Sequence, residues 1–177
     1  ELIESIKELR SEGFTTSFHV LGGLDEKQIS GIDRRQVKEW ESLGLVNYRG
    51  QLNNLEFEIG KYDAIVLPSY REGMSRVLLE SCASGVPIIT TNVPGCREAV
   101  LDGVNGFLCE PANVPSLTSA LVNFLSLSKE QRLLMGDKGR EIALYQFDEN
   151  LVIKKYENQI RQNINADFLH VGRSHWP

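Results

Sequence analysis

The chain has 177 residues, of which 41% are hydrophobic and 24% charged, a composition that predicts one well-buried globular domain. Its formal net charge of −5 argues against a nucleic-acid partner and against a binding surface for anionic membranes. Three cysteines at positions 82, 96 and 109 fit neither a disulfide framework nor a zinc site, so we expect three buried thiols in a reducing cytoplasm.

Apolar spacing divides the chain into alternating helices and strands. The predicted helices cover residues 1–10, 34–43, 52–60, 74–84, 114–126, 129–144 and 148–163. The predicted strands are Phe14–Leu21, Val46–Arg49, Ala64–Leu67, Ile88–Thr90 and Gly106–Glu110. This order predicts an α/β fold, a doubly wound, Rossmann-like parallel sheet covered on both faces.

The first predicted helix has no strand ahead of it. We therefore expect the chain to be a fragment of a longer protein, with one domain over residues 1–163 that lacks its first strand. Residues 164–177 show no periodicity and are expected to form a loose tail.

The most informative segment is a strand–loop–helix–strand unit over residues 62–90. A loop after the strand Ala64–Leu67 carries Glu72 and Gly73, and a helix from Met74 carries a second acid, Glu80. In an open α/β sheet, ligands bind where the carboxyl end of a strand meets the N-terminus of the following helix.

This unit has a direct chemical interpretation. A helix starting near Met74 leaves the backbone amides from Gly73 through Val77 free, and these amides favour a phosphate or diphosphate. Glu80 lies eight residues beyond Glu72, which on a helix is roughly 12 Å along the axis and about 80° around it. That distance suits a ribose and a sugar joined by a diphosphate. The spacing alone leaves open the alternative of two solvated acids that flank a core helix.

The surrounding residues resemble family-4 (group 1) glycosyltransferases of the GT-B type. That family's pattern is matched in order by Glu72, Glu80, Gly85–Pro87, Gly95–Glu98 and Gly103–Phe107. The resemblance extends over residues 1–163. The segments 22–40 and 70–81 are most similar to those of bacterial members that build surface polysaccharides and lipid-linked glycans.

The resemblance implies the C-terminal, nucleotide-sugar-binding half of a retaining enzyme that transfers sugar to a glycan or lipid-linked acceptor. Glu72 is then the catalytic residue that holds the donor sugar near its 3- and 4-hydroxyls, and Glu80 holds the ribose. Gly50 and Gln51 are expected near the base, mainly through their backbone. The remaining donor-binding residues that the resemblance implies are Gly73, Met74, Ser75, Arg76 and Val77.

The resemblance also implies parts that this chain does not carry. Family members place an Arg and a Lys on a loop that would precede residue 1, and the acceptor site lies in an N-terminal domain. A helix N-terminus alone contributes up to about 2 kcal/mol, about 30-fold in rate. We therefore expect the fragment alone to be inactive. The whole protein is expected in the cytoplasm, with peripheral membrane contact through the missing domain as a further expectation.

Other chemistries are disfavoured by missing motifs. The sequence contains no Asp-x-Asp pair, so no metal or other cofactor is expected, and no Gly-x-Gly-x-x-Gly follows a strand. His19 is expected in the core or on a sheet face, and Glu98 either caps the next helix or contacts ligand. Two other functions stay open: a non-catalytic nucleotide-binding or interaction module on the same scaffold, and another enzyme such as a sugar-nucleotide epimerase.

Overall fold

The computed structural model describes residues 1–24, 32–52 and 54–171. Its strands are β1 His19–Leu21, β2 Asn47–Gly50, β3 Ile65–Leu67, β4 Ile88–Thr91 and β5 Gly106–Cys109. Its helices are α1 Leu2–Ser11, α2 Arg34–Ser42, α3 Leu55–Ile59, α4 Arg76–Ser84, α5 Val114–Leu125, α6 Lys129–Gln146 and α7 Glu149–Val171. A short 3-10 helix covers Arg97–Ala99. The predicted alternation of strands and helices is confirmed.

The strands form two parallel groups. β1 pairs with β2, and β3, β4 and β5 form a second sheet in that order, with every pairing parallel. β4 is central in its sheet and is buried at all of its positions.

Both faces of the β3–β4–β5 sheet are covered, as a doubly wound fold requires. Ile89 points to a core formed with Leu9 of α1 and with Leu117 and Phe124 of α5. Ile88, its neighbour in β4, points to the opposite core, which includes Leu78 of α4. Successive strand residues face opposite sides of a sheet, so helices lie on both faces.

The C-terminal end of α4 packs closely against the backbone of α6. Gly85 ends this helix in a left-handed conformation with φ of 70°. A Cβ on Gly136 of α6 would lie 2.0 Å from the Gly85 carbonyl oxygen, a distance that no side chain tolerates. α6 therefore rests directly on the C-terminal end of α4, and α4 has little freedom to move.

Several predicted boundaries differ from the structure. β1 begins at His19 rather than Phe14, and α4 begins at Arg76 rather than Met74. α7 continues to Val171 instead of ending at residue 163, because the first helix-breaking residue beyond that point is Gly172. Residues 172–177 of the predicted tail lie outside the described residues.

The three cysteines are free and buried, as expected. His19 is exposed, and its ring lies 5.4 Å from that of Tyr62 between centroids. Of the two positions expected for His19, the structure gives the one on the sheet, as the first residue of β1 with an exposed side chain, and not the one in the core.

Candidate functional site

The loop that carries Glu72 is attached to the carboxyl end of the sheet. It follows β3, and two buried threonines of β4 hold its first residues. The Thr90 hydroxyl donates to the Leu67 carbonyl over 2.7 Å, and the Thr91 hydroxyl donates to the Ser69 carbonyl. The loop therefore starts from a fixed position relative to the most buried strand.

The Glu72 side chain is oriented by the same loop. The Ser69 hydroxyl donates to its carboxylate over 2.8 Å, and the side chain is half-buried. A carboxylate offers about four acceptor positions, so this hydrogen bond fixes the group and leaves most of its capacity for other donors.

Gly95 holds the end of the loop. Its carbonyl accepts the Ser75 N–H over 3.2 Å. Its φ is +87°, and a Cβ there would lie 1.6 Å from the Gly73 carbonyl oxygen. Only glycine permits this approach, so Gly95 sets the position of Gly73 and Ser75.

Glu98 in turn holds Gly95. Its carboxylate accepts the Gly95 N–H over 2.7 Å. The pKa of Glu98 is lowered because its own backbone N–H and that of Gly95 both donate to the carboxylate. Glu98 lies within the 3-10 helix Arg97–Ala99, whose N-cap residue Cys96 makes no side-chain cap, so its observed role is to restrain Gly95, and ligand contact by Glu98 stays a prediction.

The N-terminus of α4 presents free backbone donors, two residues later than predicted. The first helical bond runs from the Leu79 N–H to the Ser75 carbonyl, so the amides of Arg76, Val77 and Leu78 have no partner within the helix. The Ser75 side chain makes no capping hydrogen bond. These donors, with the positive end of the helix dipole, form a site suited to an anion.

This geometry corrects part of the predicted amide set. The Ser75 N–H was expected to be free, but it is occupied by Gly95, because that bond holds Ser75 in an extended conformation ahead of the helix. The buried Ser75 keeps its hydroxyl as a donor. Gly73 and Met74 are exposed on the loop, and Met74 is 50% exposed.

Glu80 lies on the second turn of α4, where its side chain is 29% exposed. It pairs with Arg76 over 3.3 Å, and Arg76 is 90% exposed. Because Glu72 lies on the loop and not on the helix, the separation of roughly 12 Å, which assumed one continuous helix, does not apply.

Gly50 and Gln51 lie at the carboxyl end of β2. The Gly50 carbonyl accepts the Gly22 N–H over 2.9 Å, and the Tyr48 hydroxyl donates to the Gly22 carbonyl over 2.8 Å. Within the described ranges, no hydrogen bond or ion pair joins Gly50 or Gln51 to the segment 72–80. The described hydrogen bonds therefore connect the residues around Glu72 to one another but do not extend to Gly50 or Gln51.

Sequence reasoning missed the supporting residues Ser69, Thr90 and Thr91. Their signal is a hydroxyl side chain at or just beyond the carboxyl end of a strand, where it reaches a neighbouring carbonyl. The sequence shows this pattern twice, in Pro68-Ser69 and in Thr90-Thr91.

A separate cavity of about 770 Å³ lies between β1 and β3. Val77 contributes to its lining, whereas the two acids do not. In the part of the chain that the structure describes, no three His, Cys, Asp or Glu residues are grouped as metal ligands. No described helix combines the length and the apolarity that crossing a membrane would require.

Comparison with known proteins identifies the family. The family model for glycosyl transferases group 1 matches residues 1–126. The capsular polysaccharide biosynthesis glycosyltransferase CapM of Staphylococcus aureus is 26% identical over 163 residues, which cover 89% of this chain and 41% of CapM. The N,N'-diacetylbacillosaminyl-diphospho-undecaprenol alpha-1,3-N-acetylgalactosaminyltransferase of Campylobacter jejuni is 29% identical over 156 residues, 88% of this chain and 39% of that protein.

A solved structure shows the same fold. A mutant of S. aureus TarM, in complex with fondaparinux, alpha-GlcNAc-glycerol and UDP, superposes with a TM-score of 0.76 at 20% identity, over 89% of this chain and 31% of that one. The fold is thus a Rossmann-like half of the GT-B type. The chain spans about two fifths of the length of the two curated relatives. Since the family model matches well over half of its residues, the chain belongs to the group 1 glycosyl transferases.

Proposed function

We propose that this chain is the nucleotide-sugar-binding part of a retaining, hexosyltransferase-type glycosyltransferase. The observation that carries the proposal is the first turn of α4, whose amides bond to no residue that the structure describes and which lies directly after the loop that holds Glu72. An anion site next to an oriented carboxylate suits a nucleoside diphosphate sugar, which joins a charged bridge to neutral hydroxyls.

The diphosphate is proposed to bind at the start of α4. The free amides of Arg76, Val77 and Leu78 donate to its oxygens, and the exposed Arg76 guanidinium adds a positive charge. Gly73 and Met74, exposed on the loop, let the sugar-side phosphate approach the backbone. The Ser75 hydroxyl is the remaining donor at this position.

Glu72 is proposed to bind the donor sugar through its 3- and 4-hydroxyls. Hydrogen bonds from neutral hydroxyls to a carboxylate contribute about 1.5–3 kcal/mol each. Because Ser69 already fixes the carboxylate, little side-chain entropy is lost when the sugar binds. This preorganisation places the anomeric carbon for reaction.

Glu80 is proposed to bind the ribose hydroxyls. Its present partner, Arg76, forms an i,i+4 surface pair, and such pairs contribute about 0.2–0.5 kcal/mol. Ribose hydroxyls therefore displace the guanidinium at small cost, and the released Arg76 can turn to the diphosphate. Gly50 and Gln51 are proposed to contact the base through their backbone.

In the proposed reaction, the bond between the anomeric carbon and the diphosphate oxygen breaks ahead of acceptor attack. The electron pair leaves with the nucleoside diphosphate, whose added charge is stabilised by the α4 amides and Arg76. The acceptor hydroxyl forms the new C–O bond on the same face of the sugar, and its proton passes to the departing diphosphate. The configuration at the anomeric carbon is retained.

The relatives suggest the substrate class. CapM is named for capsular polysaccharide biosynthesis, and the TarM structure contains UDP. We propose a glycan or lipid-linked acceptor held by the rest of the protein, in the cytoplasm or at a membrane surface. We also propose transfer without a metal, since the sequence offers no Asp-x-Asp pair to hold one on the diphosphate.

The test is a transfer assay of the full-length protein with uridine, guanosine and adenosine diphosphate sugars. Glu72→Ala and Glu80→Ala are each expected to lower activity by at least ~100-fold, by analogy with loss of one preorganised polar contact. Activity of the unaltered protein is expected to persist in EDTA.

Glu141→Ala is the matched control, because Glu141 also pairs with a cation on an exposed helix, Lys138 over 2.8 Å. It is expected to keep full activity. Near-normal transfer by either Glu72→Ala or Glu80→Ala contradicts the assignment. Nucleotide binding without transfer to any acceptor supports a non-catalytic module instead.

A further inference from the structure

The loop between β3 and α4 makes few hydrogen bonds to the rest of the protein. It covers residues 68–75, and among the residues that the structure describes, no backbone–backbone hydrogen bond involves positions 68–74. The Ser75 N–H, at the end of the loop, is held by the Gly95 carbonyl. Segments whose backbone lacks such partners are usually the more mobile parts of a fold. The position of Glu72, inside this loop, therefore depends on some other restraint.

The Thr91 hydroxyl supplies this restraint. It donates to the Ser69 carbonyl, and this is the one hydrogen bond that joins a backbone group of positions 68–74 to the other residues the structure describes. Thr91 is 2% exposed and lies opposite Cys109 of β5, at the end of the central strand β4. A hydroxyl in so closely packed a position has little freedom, so it holds the Ser69 peptide group in place relative to β4.

Ser69 transmits the restraint to Glu72. A peptide group is planar, so a bond to the Ser69 carbonyl also limits the backbone rotation that directs the Ser69 side chain. The Ser69 hydroxyl donates to Glu72 Oε1 over 2.8 Å. This second bond lies within the loop and moves with it, so alone it cannot hold Glu72 relative to the sheet. The two bonds in series connect the carboxylate to β4.

Thr90, the preceding residue, provides a comparison within the same strand. Its buried hydroxyl donates to the Leu67 carbonyl over 2.7 Å. Leu67 is the last residue of β3 and already pairs with Thr90 in the parallel ladder, whereas Ser69 lies beyond the end of that strand. The two threonines therefore make similar hydrogen bonds, but only the bond from Thr91 holds a segment that the sheet does not already hold.

We propose that Thr91 is a positioning residue, whose hydroxyl holds the Glu72 carboxylate at the donor sugar by way of Ser69. This inference rests on the proposed function, in which Glu72 binds the sugar hydroxyls. Thr91 is too deeply buried to contact the donor itself. It determines the position of the sugar-binding group, whereas the start of α4, which receives the diphosphate, is held separately through the bond between Ser75 and Gly95.

The test is the transfer rate of Thr91→Val in the full-length protein, a change that removes the hydroxyl and keeps the side chain's shape. Its kcat/KM for the nucleotide sugar is expected to fall at least ~10-fold, since misplacement of a reacting group by about 1 Å can cost about 100-fold. Thr91→Ser keeps the hydroxyl and should stay within ~3-fold of the wild type. Thr90→Val is the matched control and should lose less than ~3-fold, because the β3–β4 ladder keeps Leu67 in place.

Two further measurements separate positioning from a general loss of stability. UDP, GDP and ADP are titrated into the wild type by calorimetry, and the one that binds should keep its Kd within ~3-fold in Thr91→Val, because the α4 amides have a separate anchor. Ser69→Ala breaks the same series of bonds and should lower kcat/KM as Thr91→Val does. Adding Thr91→Val to Ser69→Ala should then lower it by less than ~3-fold more, since residues that act through one another are not additive.

Each outcome decides the proposal. Equal kcat/KM values for Thr90→Val and Thr91→Val overturn it, as does a Thr91→Ser variant that is as impaired as Thr91→Val. Losses that multiply in the double variant, or a lost affinity for the nucleoside diphosphate, also overturn it. Normal kcat/KM in Ser69→Ala, which leaves the core untouched, does so even if Thr91→Val fails to fold.

Glu72→Ala distinguishes a failure of this inference from a failure of the proposed function. If Glu72→Ala is impaired and Thr91→Val is not, the inference alone is wrong. Near-normal transfer by Glu72→Ala contradicts both. Impairment of Glu72→Ala, Ser69→Ala and Thr91→Val, with rescue by Thr91→Ser and unchanged binding of the nucleoside diphosphate, supports both.

Discussion

The β3–β4–β5 region and the β1–β2 region differ in how deeply their strands are buried and how closely their backbones pack. In the first, β4 is buried at every position, and a Cβ on Gly106 would lie 1.9 Å from the Ile88 carbonyl oxygen. In the second, every position of β1 and β2 is either exposed or half-buried. The residues with oriented chemistry, Glu72 and the α4 amides, all lie in the firmly packed region.

In the proposed complex with a nucleotide sugar, the two regions contribute to binding in different ways. The packed region can hold a carboxylate and a helix N-terminus at fixed positions, as reaction at a sugar carbon requires. The β1–β2 region offers Gly50 and Gln51 at the carboxyl end of β2, where the strands are less buried. Predictions that disturb each region separately test this division.

The largest effect is expected from Gly95→Ala. The new Cβ collides with the Gly73 carbonyl, so the loop that carries Glu72 must shift by an ångström or more. Misplacement of that size costs about 100-fold in rate, and steady-state transfer kinetics of the full-length protein measure it.

Gly103→Ala provides the control for this change. Gly103 also has a positive φ, +73°, but a Cβ there meets nothing within 4 Å. Both variants therefore lose about 1–2 kcal/mol of backbone conformational energy, and only Gly95→Ala moves the loop. Equal kcat/KM values for the two variants would show that Gly95 does not position the site.

A smaller effect is expected at Glu98. Glu98→Gln keeps an oxygen that can accept the Gly95 N–H but loses the charge, so activity should fall by less than ~10-fold, whereas Glu98→Ala should lose more. Rescue by the conservative variant separates positioning from general instability. Equal losses in the two variants would instead implicate the charge itself.

The same carboxylate predicts a pH dependence. Its folded-state pKa is lowered from 4.5, so the stabilisation it gives is present above that value and is lost as the pH falls through the lower folded-state pKa. Thermal unfolding of the wild type and Glu98→Gln should therefore differ by a constant amount at pH 6–8 and converge in acid. A difference that grows in acid would contradict this sign.

Thiol labelling distinguishes the regions without an activity assay. Burial raises the pKa of both Cys82 and Cys109 to about 11, so at pH 8 neither should react with an aromatic disulfide until the protein unfolds. A Ser42→Cys variant on the exposed surface of α2 should react at once. Rapid labelling of Cys82 in the folded protein would show that the packed region opens.

The smallest effect is expected at Gln51. If the base is bound through backbone groups, Gln51→Ala removes only a side chain that lies on the exposed surface. The Michaelis constant for the donor should then change by less than ~3-fold, within the usual range for surface substitutions. A larger change would assign the side chain to base recognition.

Sequence patterns predicted the parts of this fold that depend on local periodicity. The alternation of strands and helices, and the two-sided cover of β4, follow from apolar spacing such as that of Ile88-Ile89. The motif order from Glu72 to Phe107 also predicted the family correctly. These features repeat along the chain and need no knowledge of distant contacts.

Features that depend on long-range contacts were not predictable in this way. The start of α4 moved from Met74 to Arg76 because Gly95, twenty residues away from Ser75 in sequence, takes the Ser75 N–H. β1 is shorter than its predicted range, and among the described strands it pairs with β2 alone. The roles of the individual donor-binding residues stay predictions.

The most direct test of the central claim is a crystal structure of the full-length protein with a nucleoside diphosphate bound. The account predicts diphosphate oxygens within about 3.2 Å of the backbone nitrogens at the start of α4, with the Glu80 carboxylate on the ribose and Glu72 facing the sugar position. A diphosphate bound elsewhere, with both carboxylates turned away from it, would contradict the account.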